Sequence, residues 1–220
     1  MLAVSSTGRK LVMALTGQLM FVFLIAHMIG NSTIYFGRLN AYAASLHALP
    51  FLLWPFRICM ATTLSFHIFF GAILTIENKA AKPRGYVVSS RQNATFSGRN
   101  MIWTGVLIGA FLAYHLMHFT LQVVEPASSA FRNHDALNMP DVVQMLVRSF
   151  QQADIAFLYG VAAAVLMLHL SHGIQSSFQT MGLNNDRTMP VFMKGGWAAA
   201  VFVFFGYAAI PAAIILGMVR

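Results

Sequence analysis

Residues 11–34 read LVMALTGQLMFVFLIAHMIGNSTI. The run contains no Asp, Glu, Lys or Arg, and its one ionisable side chain, His27, lies well inside it. A bilayer core of about 30 Å is crossed by about 20 largely apolar residues in a helix. The stretch therefore predicts a transmembrane helix. It is too long for the apolar region of a cleavable signal peptide, and the residues before it are polar.

Four further stretches qualify on the same ground, at about 51–76, 100–124, 155–180 and 195–219. The chain, 1–220, reads as a single all-α membrane domain, an integral bundle of five transmembrane helices. Segments of this length argue against a β-barrel, whose strands are shorter and alternate. Composition agrees: 58% of residues are hydrophobic and 9% charged, against about 25% charged in a soluble domain. That balance excludes a soluble globule, and the single cysteine, Cys59 in the second span, excludes a disulfide scaffold.

Basic residues set the orientation. Nine of the 14 Lys and Arg lie in the N-terminal segment, the second–third loop and the fourth–fifth loop; the other five are Arg38, Arg57, Arg132, Arg148 and Arg220. The positive-inside rule places the N-terminus in the cytoplasm and the C-terminus outside. Two short outer segments read as interfacial helices. Asn40–Leu49 offers Asn40 as N-cap, and Pro140–Phe150 starts on a proline with Val142, Val143, Leu146 and Phe150 at helical spacing. Pro211 is expected to kink the fifth helix. No internal repeat is read, and lipid rather than nucleic acid is the expected surroundings.

All six acidic residues lie outside the spans or at their ends, whereas six of eight histidines lie within them: His27, His67, His115, His118, His169 and His172. An ionisable group at membrane depth is costly and marks a functional site by default, although a neutral imidazole can also simply bond a neighbouring carbonyl. Depth separates the two cases. At 1.5 Å per residue, His27 and His115 lie about 24 and 22 Å from the cytoplasmic ends of their helices, and His67 and His169 about 15 and 14 Å. Four histidines thus form two levels, each supplied by two helices. That arrangement suits two haems, each with one imidazole above and one below the iron. A structural zinc site would gather four ligands at one depth, and covalent haem attachment is excluded because no C-x-x-C-H exists. His67-x-x-x-Gly71 and His169-x-x-x-Gly173 add a glycine one turn from each inner histidine, room for a porphyrin or for close helix packing. His118 and His172 lie three residues beyond His115 and His169 and are alternative ligands. Their depths, about 27 and 9 Å, match the partner helices less well.

Phe23-Leu24-Ile25-Ala26-His27 with Asn31, Phe66-His67 with Gly71, Ala113-Tyr114-His115, and His169-Leu170-Ser171-His172-Gly173 together resemble the dihaem cytochrome b membrane anchor of succinate dehydrogenases and quinol:fumarate reductases. The resemblance runs over nearly the whole chain. It implies two haem b groups, His67 and His169 holding the inner and His27 and His115 the outer. It also implies menaquinone as redox partner, and a flavoprotein subunit and an iron–sulfur subunit on the cytoplasmic face, where FAD and the iron–sulfur clusters belong. The implied location is the bacterial cytoplasmic (inner) membrane, with a dimer of the heterotrimer allowed. The chain departs from some members at Met167, where a membrane glutamate serves a proton route.

Haem propionates need donors near the interface, and for the inner haem Arg9, Lys10, Ser97 and Arg99 are candidates, with Arg84 and Arg91 beyond them. Basic residues also flank spans merely to orient them. For a quinone on the outer side, Asn31, Arg38, His47 and Arg57 are candidates. Trp54, Trp103 and Trp197 fall near span ends, as interfacial aromatics do. The rival readings are the cytochrome b subunit of a hydrogenase or formate dehydrogenase, and a haem-free histidine-lined transporter or anchor.

Overall fold

The computed structural model describes residues 5–81 and 95–220. Among these the chain is helical, and its only β pairing is an isolated bridge between His134 and Pro140. Eight α-helices follow in order: α1 (Ser6–Ser32), α2 (Leu39–His47), α3 (Pro50–Ala80), α4 (Phe96–Arg99), α5 (Met101–His115), α6 (Val142–Phe150), α7 (Ala153–Thr180) and α8 (Met189–Ile215). A 3-10 turn, Thr33–Phe36, extends α1, and a π turn, Leu116–Thr120, extends α5. Five of these units are long and apolar enough to cross a membrane: Ser6–Phe36, Pro50–Ala80, Met101–Thr120, Ala153–Thr180 and Met189–Ile215.

Local chemistry sets the ends. Ser5 caps α1 by accepting from Gly8 N at 3.0 Å, and prolines occupy the first turns of α3 and α8, where a missing N–H costs nothing. Gly37, at φ 64°, turns the chain out of the first span, a conformation that residues with a Cβ adopt at a cost. Pro55 and Pro211 lie inside α3 and α8 without ending them. The third span stops short of the expected residue 124: after the π turn, Gln122 takes φ 54° and Pro126 follows, so Leu121–Val124 leaves the helix. The first and fifth spans begin earlier than expected, at Ser6 and Met189, because the Ser5 cap and Pro190 start helices in polar sequence.

Both short loop helices form. Asn40 does not cap α2; the N-cap is Arg38, and Asn40 lies in the first turn. There it ties α2 to the segment before α6, donating to Asp135 Oδ2 (3.0 Å) and Asp141 Oδ1 (3.1 Å) and accepting from Val143 N (3.0 Å). Pro140 precedes α6 and Asp141 caps it, accepting from Gln144 N. The apolar side of α6 meets protein: Leu146, Val147 and Phe150 form a cluster with Ile34, Leu39, Ala156, Ile210 and Ile214.

The spans run antiparallel. Arg9 of α1 pairs with Glu77 of α3 at 2.8 Å, Ser171 of α7 donates to Ser97 of α4 at 3.1 Å, and Gln18 of α1 donates to Ser177 of α7. These contacts gather the start of α1, the end of α3, α4 and the end of α7 at one end of the bundle. The second core cluster lies between α7 and α8, where Leu170, Ile174, Ala200 and Val203 pack with Phe21, Leu24 and Ile25 of α1. Small residues permit that approach, as expected where lipid provides no hydrophobic drive between helices. Large side chains point outward instead: Phe51, Trp54, Phe66, Phe69 and Ile76 of α3 are all more than half exposed, the face a bilayer would cover. Gly206 of α8 lies against the buried side chain of Met28, whose Sδ occupies the space that a Cβ would take.

Gly206→Val should therefore separate α1 from α8 and destabilise the chain by about 1–3 kcal/mol, the usual cost of overpacking. Gly160→Ala, which meets nothing within 4 Å, should leave stability unchanged or slightly raised. Thermal melts in detergent followed by circular dichroism read both.

Candidate functional site

Four helices supply four histidines that meet in two facing pairs. The rings of His27 (α1) and His115 (α5) have centroids 6.1 Å apart, and those of His67 (α3) and His169 (α7) lie 6.4 Å apart. A metal–imidazole bond of about 2.0 Å, with the ring centre about 1.1 Å behind the nitrogen, gives a simple ruler. Two imidazoles on opposite sides of one ion have centres about 6.2 Å apart, and two on a tetrahedral ion about 5 Å. Both pairs match the first figure. Among the described residues no group of three or more His, Cys, Asp or Glu side chains converges as a metal site. At this spacing the two imidazoles of each pair could serve as two ligands of one ion, the rest of whose shell would have to come from elsewhere.

The inner pair is held by a device the sequence reading missed. Thr16 Oγ1 lies 3.2 Å from His67 Nδ1, and Thr104 Oγ1 lies 3.1 Å from His169 Nδ1. Each threonine already donates its own hydrogen to a carbonyl of its helix, Thr16 to Val12 at 2.8 Å or Met13 at 3.1 Å, Thr104 to Met101 at 3.1 Å or Asn100 at 3.2 Å. With its hydrogen on the carbonyl the hydroxyl accepts, which places the ring hydrogen on Nδ1 and leaves Nε2 its lone pair. That is the tautomer an Nε2 metal ligand requires, fixed by a partner on its other nitrogen. Next to each threonine is a glycine: a Cβ at Gly17 would come within 3.3 Å of His67, and one at Gly105 within 3.6 Å of His169. The backbone is equally open one turn from the inner histidines. A Cβ on Gly71 or Gly173 would meet only the tips of Met13 and Met101, at 3.7 and 4.0 Å.

These residues form a short repeat. Thr16-Gly17 precedes His27 as Thr104-Gly105 precedes His115, with threonine and histidine eleven residues apart in both helices. Eleven residues make just over three whole turns and rise about 16.5 Å, so one face of α1 and one face of α5 each serve both levels. Thr16, which reaches the inner pair, and His27 of the outer pair are thus about 16.5 Å apart along α1, against about 8 Å between the levels by depth counting.

The outer pair has an aromatic setting. His27 stacks on Phe23 at 5.4 Å and lies 6.2 Å from Tyr207, whose hydroxyl donates to Leu24 O at 2.8 Å. His115 lies among Phe111, Phe119 and Tyr159, and its buried Nδ1 has no hydrogen-bond partner among the described residues.

The two alternative histidines differ. His118 is 2% exposed in the π turn, and both its nitrogens are engaged, Nδ1 with Tyr159 Oη at 3.0 Å and Nε2 with Ser149 Oγ at 3.1 Å. Glu125 completes this cluster, accepting from Ser149 Oγ at 2.8 Å and from Gln152 Nε2, with Oε2 3.5 Å from His118 Nε2. Burial pushes the Glu125 carboxyl up, but the hydrogen bonds from Gln152 and Ser149 and the neighbouring His118 outweigh it and hold its pKa below the ordinary value. His172 lies against Gly98 of α4, and its buried Nδ1 has no hydrogen-bond partner among the described residues.

The remaining candidates scatter. At the inner end, Arg9 is paired with Glu77, Lys10 is exposed and Ser97 accepts from Ser171. Arg99 lines a cleft of about 530 Å³ together with Thr75, Asn78 and Lys79, three residues the sequence reading had not assigned to a site. Arg84 and Arg91 lie outside the described residues. At the outer end, Asn31 donates to His27 O at 2.9 Å, Arg38 borders a hollow of about 410 Å³ with Thr33 and Phe36, and His47 is exposed. Arg57 stacks over Trp54 at 5.4 Å. No hydrogen bond joins any two of these four. Compared with family models, curated proteins and solved structures, the chain matches none.

Glu125 supplies a pH test. Its lowered pKa means that its bonds to α6 and α7 stabilise the fold above the ordinary value of 4.5, and that this contribution is lost as pH falls through the lowered value. Melting temperature should drop below pH 4.5, and Glu125→Gln should flatten the acid-dependent part of that drop while lowering stability near neutrality.

Proposed function

We propose that the chain is the dihaem cytochrome b membrane anchor of a succinate:quinone oxidoreductase, a succinate dehydrogenase or menaquinol:fumarate reductase. It carries electrons between a quinone in the bilayer and cytoplasmic iron–sulfur and flavin subunits. The observation that carries this reading is the pair of opposed histidine rings, at 6.1 and 6.4 Å, at two depths of one membrane bundle. Haem b held by two histidines would supply one-electron transfer rather than oxygen activation.

The chain's own residues do the rest. His67 and His169 hold the inner group with Nε2 lone pairs preset by Thr16 and Thr104, and His27 and His115 hold the outer one. Thr75, Asn78, Lys79 and Arg99 offer donors to carboxylates at the inner mouth. Apolar side chains of Phe23, Phe111 and Phe119 keep water from the outer pair. The basic end that carries the N-terminus faces the cytoplasm of a bacterium and docks the partner subunits, and Asn31, Arg38, His47 and Arg57 lie toward the opposite surface, where the quinone is bound.

A reduced-minus-oxidised spectrum of the purified chain should show low-spin b-type bands at two haems per chain. His67→Ala and His27→Ala should each remove one haem, and a different one. Thr104→Val should keep the fold and weaken retention of the inner haem by about 10–100-fold, the usual effect of losing the group behind a metal ligand. Absence of b-type bands, or two haems retained in both histidine variants, would overturn the reading.

A further inference from the structure

The polar cluster around His118 has no part in holding the histidine pairs, yet it starts beside one of them. The Tyr159 ring lies 6.0 Å from that of His115, and the cluster ends at Glu125, whose side chain is 23% exposed. Its hydrogens are ordered by elimination. Ser149 Oγ donates to Glu125 Oε2 at 2.8 Å, so it accepts from His118 Nε2–H at 3.1 Å. The other nitrogen, Nδ1, is then an acceptor and takes the Tyr159 hydroxyl hydrogen at 3.0 Å. Every O–H and N–H in the chain therefore points from the bundle interior toward the carboxylate. A π turn puts His118 in this position, a feature that in helices often accompanies function. Ser149, at 0% exposure, and His118, at 2%, are closed to solvent, so Glu125 is the end through which water is reached. The other titratable groups facing His118 are Tyr114, with its ring at 5.3 Å, and His115.

We propose that Tyr159, His118, Ser149 and Glu125 form a proton path between the outer histidine pair and the outer surface, serving a quinone that reacts at that end; the proposal rests on the quinone-linked reading above. Oxidation of a quinol breaks two O–H bonds, sends two electrons toward the flavin and iron–sulfur groups of the partner subunits, and leaves two protons to be removed from hydrocarbon. Each proton enters at the Tyr159 oxygen as the tyrosine hydrogen moves to His118 Nδ1. His118 releases its Nε2 hydrogen to Ser149, Ser149 passes its own to Glu125, and the carboxyl gives it to water. Rotation of the hydroxyls and return of the imidazole to its first tautomer reset the path for the second proton. Reduction of a quinone takes two electrons and draws two protons inward by the reverse sequence.

Two readouts test this, one of them independent of any cofactor. In the full-length chain labelled with 15N-histidine in bicelles, exchange of the His118 ring N–H into D2O should slow by about tenfold or more in Glu125→Gln. In membranes holding the assembled complex, reduction of the b-type cytochrome by 2,3-dimethyl-1,4-naphthoquinol should slow by about tenfold or more in Glu125→Gln and Tyr159→Phe and recover in Glu125→Asp. The dithionite-reduced spectrum should stay unchanged in all three. Unchanged exchange in Glu125→Gln, or unchanged quinol rates in both Glu125→Gln and Tyr159→Phe, would overturn the proton path. A wild-type complex without b-type bands would overturn the quinone-linked reading instead, a failure that the exchange measurement tells apart. Should one variant fail to fold, the other decides.

Discussion

An imidazole in hydrocarbon has two nitrogens to satisfy and no water to do it, and the bundle is organised around that constraint. Each histidine inside the spans meets it in its own way. His67 and His169 give one nitrogen to a threonine and turn the ring toward a second histidine. His118 uses both nitrogens within protein. His115 keeps a buried Nδ1 without a partner among the described residues, which is tolerable only if the rest of the ring is well used. Because threonine hydroxyls on α1 and α5 also reach carbonyls of their own helices, the inner pair is offered hydrogen-bond acceptors at Nδ1, which favours the tautomer with a free Nε2 lone pair. Pre-setting of this kind lowers what binding must reorganise.

Packing follows from the same need. Threonine must come within 3.2 Å of a ring on the next helix, and glycine at the adjacent position clears the ring's flank, so α1 approaches α3 and α5 approaches α7 through Thr-Gly pairs. The eleven-residue step then returns the same face of α1 and α5 to present His27 and His115 one level further on. Two helices each serve two sites, and α3 and α7 each serve one. The fifth span contributes no histidine; through Gly196, Ala200 and Val203 it buttresses α7, while Tyr207 secures α1 beside His27.

Much of this was legible in the chain. The five spans follow from apolar run length, and the grouping of His27 with His115 and His67 with His169 follows from which way each helix runs. Span ends were less legible. Leu121, Val123 and Val124 are apolar but leave the helix around Gln122, since backbone conformation at a π turn leaves no mark on hydropathy. The Thr16-Gly17 and Thr104-Gly105 pairs look like ordinary span residues until each is set against a histidine 51 or 65 positions further along. Their signal was nonetheless present, as T-G-x9-H occurring in the first and third spans. The Glu125 cluster could not be foreseen, because Glu125, Ser149 and Tyr159 come from three separate segments, and only the docking of α6 onto the bundle joins them to His118.

The central claim is that each facing pair of imidazoles brackets one iron. Diffraction from crystals of the purified chain on either side of the iron absorption edge tests it most directly. The account predicts two anomalous iron peaks, one midway between the rings of His27 and His115 and one midway between those of His67 and His169, separated along the bundle by about 16 Å. No iron peak, a single peak, or a peak bound by His118 or His172 in place of its neighbour would contradict it.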